Sequence, residues 1–101
     1  MSVDFLSSSP PSTAVQALWS ANLKTLDITK HKKYIIHQVL QFGDLEAIRW
    51  LFSVYGKKTI RQLFVSEAEK VYTPRSLHYI SKYVLGINPE TLDHKLYVAN
   101  I

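Results

Sequence analysis

Glycine divides most of this sequence into stretches whose apolar residues recur every three or four positions. The three glycines are Gly43, Gly56 and Gly86, and each follows such a stretch. This period places apolar residues on one face of an α-helix, whereas a strand would alternate every second residue. Glycine ends a helix because it readily adopts a left-handed conformation after the last turn, as we expect for Gly43 and Gly86. The sequence therefore predicts an all-α fold.

Capping residues and the apolar period predict a first pair of helices between residues 27 and 55. The first helix begins near Asp27 or Thr29 and ends before Gly43, and Asp44 caps the second. Two helices separated by a glycine and a capping residue form a tight corner in which each buries its apolar face against the other. The side chains expected in this contact are Ile35, Ile36, Val39, Leu40 and Phe42 of the first helix and Leu45, Ile48, Leu51, Phe52 and Tyr55 of the second.

A second pair of helices follows and resembles a helix-turn-helix, in which the later helix places its N-terminal residues in the major groove of DNA. The third helix begins at Lys57, and the fourth begins after the N-cap Thr73, with Pro74 at its first position, and ends at Leu85. The connection, SEAEKV, is longer than the usual turn of such a pair. The apolar residues expected in the core are Ile60, Leu63 and Phe64 of the third helix and Leu77, Ile80 and Val84 of the fourth.

The length and composition fit one compact domain of four to five helices. With 101 residues, of which 47% are hydrophobic, the chain can bury one modest core. The stretch SSSPPST combines serine and proline without charge, so we assign residues 1–13 to a flexible N-terminal arm and residues 14–101 to a single helical domain. Apolar runs are too short for a membrane helix and no secretion signal is found, so we expect a cytoplasmic protein.

The sequence contains no catalytic or metal-binding pattern. It has no cysteine, which removes thiolate catalysis, disulfides and the usual structural zinc sites. The four histidines, at positions 31, 37, 78 and 94, lack the spacing of a metal site, and no glycine-rich phosphate loop is present. We therefore expect a protein that is not an enzyme and that holds no metal and no cofactor.

Basic residues of the third and fourth helices form a candidate DNA-binding site. The formal net charge of the chain is only +4, so the distribution of the charge matters more than its size. On the fourth helix, Arg75, His78, Tyr79 and Lys82 share one face by helical spacing. The alternative is an ordinary solvated surface. The candidate contacts to phosphates and bases are Lys57, Lys58, Arg61, Arg75, Ser76, His78, Tyr79 and Lys82.

A protein-binding surface is the second candidate, formed around Trp50 and the C-terminal residues. The segment LYVANI, residues 96–101, is apolar and lacks a helical period, so it either covers a gap in the core or docks on another chain. Tryptophan and arginine are frequent interface hot spots, although packing also explains Trp50. This surface predicts a protein partner or a homodimer. Its residues are Arg49, Trp50, Leu96, Tyr97, Val98 and Ile101.

A longer pattern resembles a family of small bacterial and archaeal proteins of unknown function. It runs through LDITKHKKYIIHQVLQFGDLEAIRWLFSVYG and continues in TPRSLHY, within about residues 17–87. Ile80 stands where this pattern commonly has a tryptophan. Some members resemble antitoxins that accompany nucleotidyltransferase-type toxins, which implies a protein partner. The resemblance also singles out His31, which either contacts phosphate or braces the backbone beside Leu26 and Asp27.

Taken together, these features predict a non-catalytic binding module, antitoxin-like or regulatory, that binds a protein partner, with nucleic acid as a further candidate partner. The alternative is a stand-alone helix-turn-helix DNA-binding protein. The first role predicts an apolar surface near Trp50 and the C-terminal residues. The second predicts one continuous positive face that includes Arg61, Arg75 and Lys82.

Overall fold

The computed structural model describes residues 5–6, 9–18 and 25–99, and the regular elements in these residues are all helical, which confirms the all-α prediction. The elements are α1 (Ser12–Ala17), α2 (Lys32–Phe42), α3 (Leu45–Tyr55), α4 (Lys57–Ser66), α5 (Pro74–Tyr79), a π turn (Ile80–Val84), a 3-10 turn (Pro89–Thr91) and α6 (His94–Tyr97). The chain divides into two compact units, residues 1–56 and 57–101. The single helical domain over residues 14–101 stays a prediction.

The first unit contains α1, α2 and α3, each of which packs against the other two. Phe5 contributes to the core of this unit, and it lies within residues 1–13, for which the sequence predicts a flexible arm. Phe5 is fully buried, and its ring meets Trp50 edge-on with the ring centroids 5.5 Å apart. The Phe5 N–H donates to the Leu26 carbonyl at 3.0 Å. Serine and proline dominate the composition here, but the buried ring and this hydrogen bond fix Phe5 in the core.

Asp27 and His31 close the turn that precedes α2. The Asp27 carboxylate accepts from the N–H groups of Thr29 and Lys30 at 2.8 and 2.9 Å, and Nδ1 of His31 accepts from the Asp27 N–H at 2.9 Å. An accepting Nδ1 places the proton of the neutral ring on Nε2. These bonds confirm the interpretation that His31 braces the backbone. Because they organise a turn before the helix, α2 begins at Lys32, later than the sequence predicted.

Gly43 is required for a different reason from the one that the sequence indicated. Its φ of −80° and ψ of 159° are extended, so the prediction of a left-handed conformation is wrong. A Cβ atom at this position would lie 2.6 Å from the Val39 carbonyl oxygen and 2.8 Å from Ala47 Cβ, so glycine allows α2 and α3 to approach closely. Asp44 then caps α3 by accepting from the Ala47 N–H at 3.0 Å. This bond lowers the pKa of Asp44 below its ordinary value.

Two apolar side chains at this corner are exposed, although the sequence predicted them in the core. Phe42 is 55% exposed and Leu45 is 63% exposed. Phe42 is the last residue of α2 and Leu45 the first of α3, so both lie at helix ends, beyond the part of each helix that packs. Phe52 and Tyr55 are half-buried. The buried residues of α3 are Ala47, Ile48, Trp50 and Leu51.

Three aromatic rings form the centre of the second unit. Phe64 of α4 stacks on Tyr97 of α6 with the ring centroids 4.9 Å apart, and Tyr72 meets Phe64 edge-on at 5.6 Å. The Tyr97 hydroxyl donates to the Phe64 carbonyl at 2.7 Å, and burial raises the pKa of Tyr97. The Tyr72 N–H donates to the Tyr97 carbonyl at 3.0 Å, and the Tyr72 carbonyl accepts from Ala99 N–H at 2.9 Å. The C-terminal segment therefore covers the core of its own unit.

The fourth predicted helix is α5 followed by a π turn, and the change alters which residues face the core. The Leu85 N–H donates to the carbonyl of Ile80, five residues earlier, at 2.9 Å. Because a π turn holds one more residue than an α-helical turn, Leu85 is buried and Val84 is only half-buried, whereas the α-helical period predicted Val84 in the core. Gly86 then takes the predicted left-handed conformation, with a φ of 70°.

Candidate binding surface on the second unit

Three basic residues of α4 line one open cleft, which we call the cation cleft. Lys57, Lys58 and Arg61 lie within about one helical turn of each other, and Val65 and Ile87 provide apolar surface in the same cleft. All three basic side chains are exposed. None of them forms an ion pair with a carboxylate in the described part of the chain. An anion that enters the cleft therefore meets three positive charges without displacing a bound carboxylate.

A second cleft shares Ile87 with the cation cleft. His78 and Lys82 of the continuous α5 and π segment line it, together with His94 of α6 and with Glu90. Because Ile87 lines both, the α4 cations and Lys82 belong to neighbouring clefts of the second unit. Glu90 adds a negative charge to the second cleft, so the cation cleft is the more favourable of the two for a polyanion.

Two exposed tyrosines lie beside Lys82, and we call them the tyrosine pair. Tyr79 is 53% exposed and Tyr83 is 66% exposed, and their ring centroids are 5.9 Å apart. Nζ of Lys82 lies 5.3 Å from the centroid of the Tyr83 ring, and the His78 ring meets that ring edge-on at 6.4 Å. Tyr83 was not predicted as a site residue, because the α-helical period places it beside the predicted face.

The structure brings the predicted DNA contacts together only in part. Those of α4 line the cation cleft, and His78 and Lys82 line its neighbour, but Arg75 and Tyr79, although exposed, line neither of these two clefts. The Ser76 hydroxyl belongs to the helix cap, where it accepts from the Thr73 N–H at 3.0 Å. The connection between α4 and α5 spans residues 67–73, longer than the turn of a helix-turn-helix.

The residues predicted to contact a protein partner are divided between the two units. Trp50 packs against Phe5 inside the first unit, and Tyr97 packs against Phe64 inside the second. The exposed residues of the predicted set therefore remain as candidates for contact with a protein partner. Arg49 and Leu96 are exposed, Val98 is half-buried, Trp50 and Tyr97 are buried, and Ile101 lies outside the described residues.

The side chains of the two clefts offer binding groups, namely ammonium, guanidinium and imidazole groups beside exposed rings. Among the residues that the structure describes, no three histidine or acidic side chains come together in a way that could hold a metal ion. Over the same residues, no helix has both the length and the apolar composition needed to cross a membrane.

Part of the chain, from within α1 to near the end of α4, is similar to a known protein family. Residues 15–64 match the family of unknown function DUF6922. The match covers about half of the chain, begins within α1 and ends near the end of α4, so it includes the Asp27–His31 turn and the α4 cations. It does not reach α5, where the sequence resemblance included TPRSLHY. No curated protein and no solved structure matches the chain.

Proposed function

We propose that this protein is a non-catalytic binding module whose second unit binds nucleic acid through the phosphate backbone. The cation cleft carries the proposal, because Lys57, Lys58 and Arg61 line one open groove. Lysine and arginine side chains are the principal contacts of proteins to nucleic-acid phosphates. Neutralising phosphates releases the counterions that surround a nucleic acid, and this release drives binding without any need for catalytic groups.

The distribution of charge along the chain supports the same unit. Residues 57–101 contain seven lysines and arginines and four acidic residues, a net charge of +3, whereas residues 1–56 contain five and four, a net charge of +1. Most of the net positive charge therefore belongs to the unit that contains the cation cleft. Such an asymmetry attracts polyanions to one part of a protein and raises the rate of association.

A protein-binding role is the second candidate, and the exposed apolar residues of the first unit favour it. Phe42 and Leu45 are each more than half exposed at the corner between α2 and α3. Neighbouring exposed apolar side chains mark protein–protein interaction sites. In this candidate the chain is an antitoxin-like or regulatory protein that holds a protein partner. A stand-alone helix-turn-helix that reads duplex DNA is the remaining alternative, and the titrations below separate it from the proposal.

The proposed function predicts that removing charge from the cation cleft weakens binding to any nucleic acid. We expect the double variant Lys57→Gln/Arg61→Gln to bind about tenfold more weakly at low salt and to lower the slope of log K against log salt by about 1.5. Fluorescence anisotropy with labelled oligothymidine and with a mixed-sequence duplex measures both quantities, at about 50 and about 200 mM salt.

The matched control is Lys30→Gln/Lys32→Gln, which removes the same charge from the first unit. We expect it to reduce affinity by less than about twofold, because Lys30 and Lys32 line neither cleft and charges outside a contact act only through the screened field of the protein. Equal losses in the two double variants would show a response to net charge alone and contradict a site in the cation cleft. Absence of binding by the wild type at low salt would reject the nucleic-acid role and leave the protein-binding candidate.

A further inference from the structure

The tyrosine pair lies beside Lys82, but its rings carry no positive charge that could neutralise a phosphate. More than half of each tyrosine is in contact with water, at 53% for Tyr79 and 66% for Tyr83. Their rings, 5.9 Å apart and inclined by 38°, lie together on the outer surface of α5 and the π turn. Large aromatic side chains usually bury most of their surface in a domain of this size. Contact of the two rings with a ligand would therefore explain why both are exposed.

The π turn accounts for the position of Tyr83. The buried Ser81 hydroxyl donates to the Leu77 carbonyl at 2.7 Å, and the turn that follows closes between Leu85 and Ile80. The additional residue in this turn rotates the later positions backward around the helix axis. Leu85 thereby reaches the core, and Tyr83 moves from the flank of the helix toward the face that carries Tyr79.

One lysine and one histidine lie beside the tyrosine pair. Lys82 Nζ lies 5.3 Å from the Tyr83 ring centroid, and the His78 ring lies at the edge of the same tyrosine. Both residues also line the second cleft, which shares Ile87 with the cation cleft. A ligand whose backbone extends from the cation cleft to Lys82 would therefore bring its side groups to the tyrosines. Nucleic acids have this form, because phosphates alternate with flat aromatic bases along the strand.

We propose that the tyrosine pair stacks unpaired bases of a single-stranded nucleic acid whose phosphates occupy the cation cleft. The inference rests on the proposed function and adds the kind of strand that is bound. In a duplex, neighbouring base pairs cover the faces of each base, so two exposed rings gain little from it. In a single strand the base faces are free, and every base offers one, so stacking tolerates any sequence.

The features of the fourth helix favour a single strand over duplex recognition. A helix-turn-helix reads DNA with the N-terminal residues of its second helix. Here the Ser76 hydroxyl near that end belongs to the cap. Tyr79 lies at the middle of the helix, and Lys82 and Tyr83 lie in its later half. The exposed rings are therefore placed along the side of the helix, beside Lys82.

Two tyrosine variants test the inference. Tyr79→Leu/Tyr83→Leu keeps apolar side chains but removes both rings, and Tyr79→Phe/Tyr83→Phe keeps the rings. We expect the leucine variant to bind oligothymidine about tenfold more weakly with an unchanged salt slope, because stacking involves no counterion release. We expect the phenylalanine variant to remain within about twofold of the wild type, and duplex affinity to be unchanged in both. Anisotropy titrations measure these affinities, and thermal melting checks that each variant is folded.

Each other outcome has a definite meaning. If the leucine variant binds oligothymidine like the wild type while Lys57→Gln/Arg61→Gln lowers the salt slope, stacking is rejected and the proposed function stands. If the leucine variant loses duplex and single-strand binding equally, the rings do not select unpaired bases and the inference is also overturned. If the wild type binds neither strand at low salt, both the inference and the proposed function fail.

Discussion

Replacing Tyr97 with alanine is expected to lower the free energy of unfolding of the second unit by about 3 to 5 kcal/mol. The substitution removes a buried ring that stacks on Phe64 at 4.9 Å and leaves a cavity between α4 and α6. It also leaves the Phe64 carbonyl without the hydroxyl that donates to it at 2.7 Å. Urea unfolding, followed by far-ultraviolet circular dichroism, measures the loss.

Two further variants separate the causes of that loss. Tyr97→Phe keeps the ring and removes only the hydroxyl, so we expect a loss of about 1 to 2 kcal/mol. Leu96→Ala, at the adjacent and half-exposed position, is the matched control and should cost less than about 0.5 kcal/mol. Equal losses for Tyr97→Ala and Leu96→Ala would contradict the burial of Tyr97 in its own unit. They would also favour the docking of the C-terminal segment on another chain.

Replacing Phe5 with alanine is expected to cost the first unit about 3 to 5 kcal/mol of unfolding free energy, because Phe5 is fully buried. Its ring meets Trp50 edge-on, and such a contact adds to the loss of buried area. Both tryptophans of the chain, Trp19 and Trp50, lie in residues 1–56. Tryptophan fluorescence during urea unfolding therefore follows the first unit in particular.

The neighbouring Leu6→Ala substitution is the control for the N-terminal segment. Leu6 is 46% exposed, so its truncation should cost less than about 1 kcal/mol. A flexible arm without contacts would give the same small effect for Phe5→Ala and Leu6→Ala. That result would restore the interpretation of residues 1–13 that the sequence composition suggested.

The ends of the helices could be predicted from local signals, because a capping residue or a glycine affects the few residues next to it. Asp44, Thr73 and Gly86 have the roles that their types indicate. Gly43 could not be assigned correctly, since a left-handed residue and a close helix contact both require glycine. Only the approach of α3 to α2 decides between them. Phe5 was missed for a related reason: composition describes a segment, whereas burial depends on one side chain and the pocket it enters.

The candidate site was predictable where an ordinary α-helical period holds. That period places Lys57, Lys58 and Arg61 on neighbouring positions of α4, and the structure shows them lining one cleft. Tyr83 could not be placed, because the π turn shifts every later residue around the helix. The tertiary contact that buries Leu85 favours this turn, and it is not encoded in the local period.

An isotope-labelled sample titrated with oligothymidine, with each backbone amide signal followed by nuclear magnetic resonance, tests most directly whether the second unit holds a nucleic-acid surface. We expect the shifts to concentrate in residues 57–66 and 78–87, which contain the cation cleft residues and the tyrosine pair. Residues 32–55 of the first unit should change little. Shifts concentrated in those first-unit residues, or no shifts at low salt, would contradict a nucleic-acid surface on the second unit.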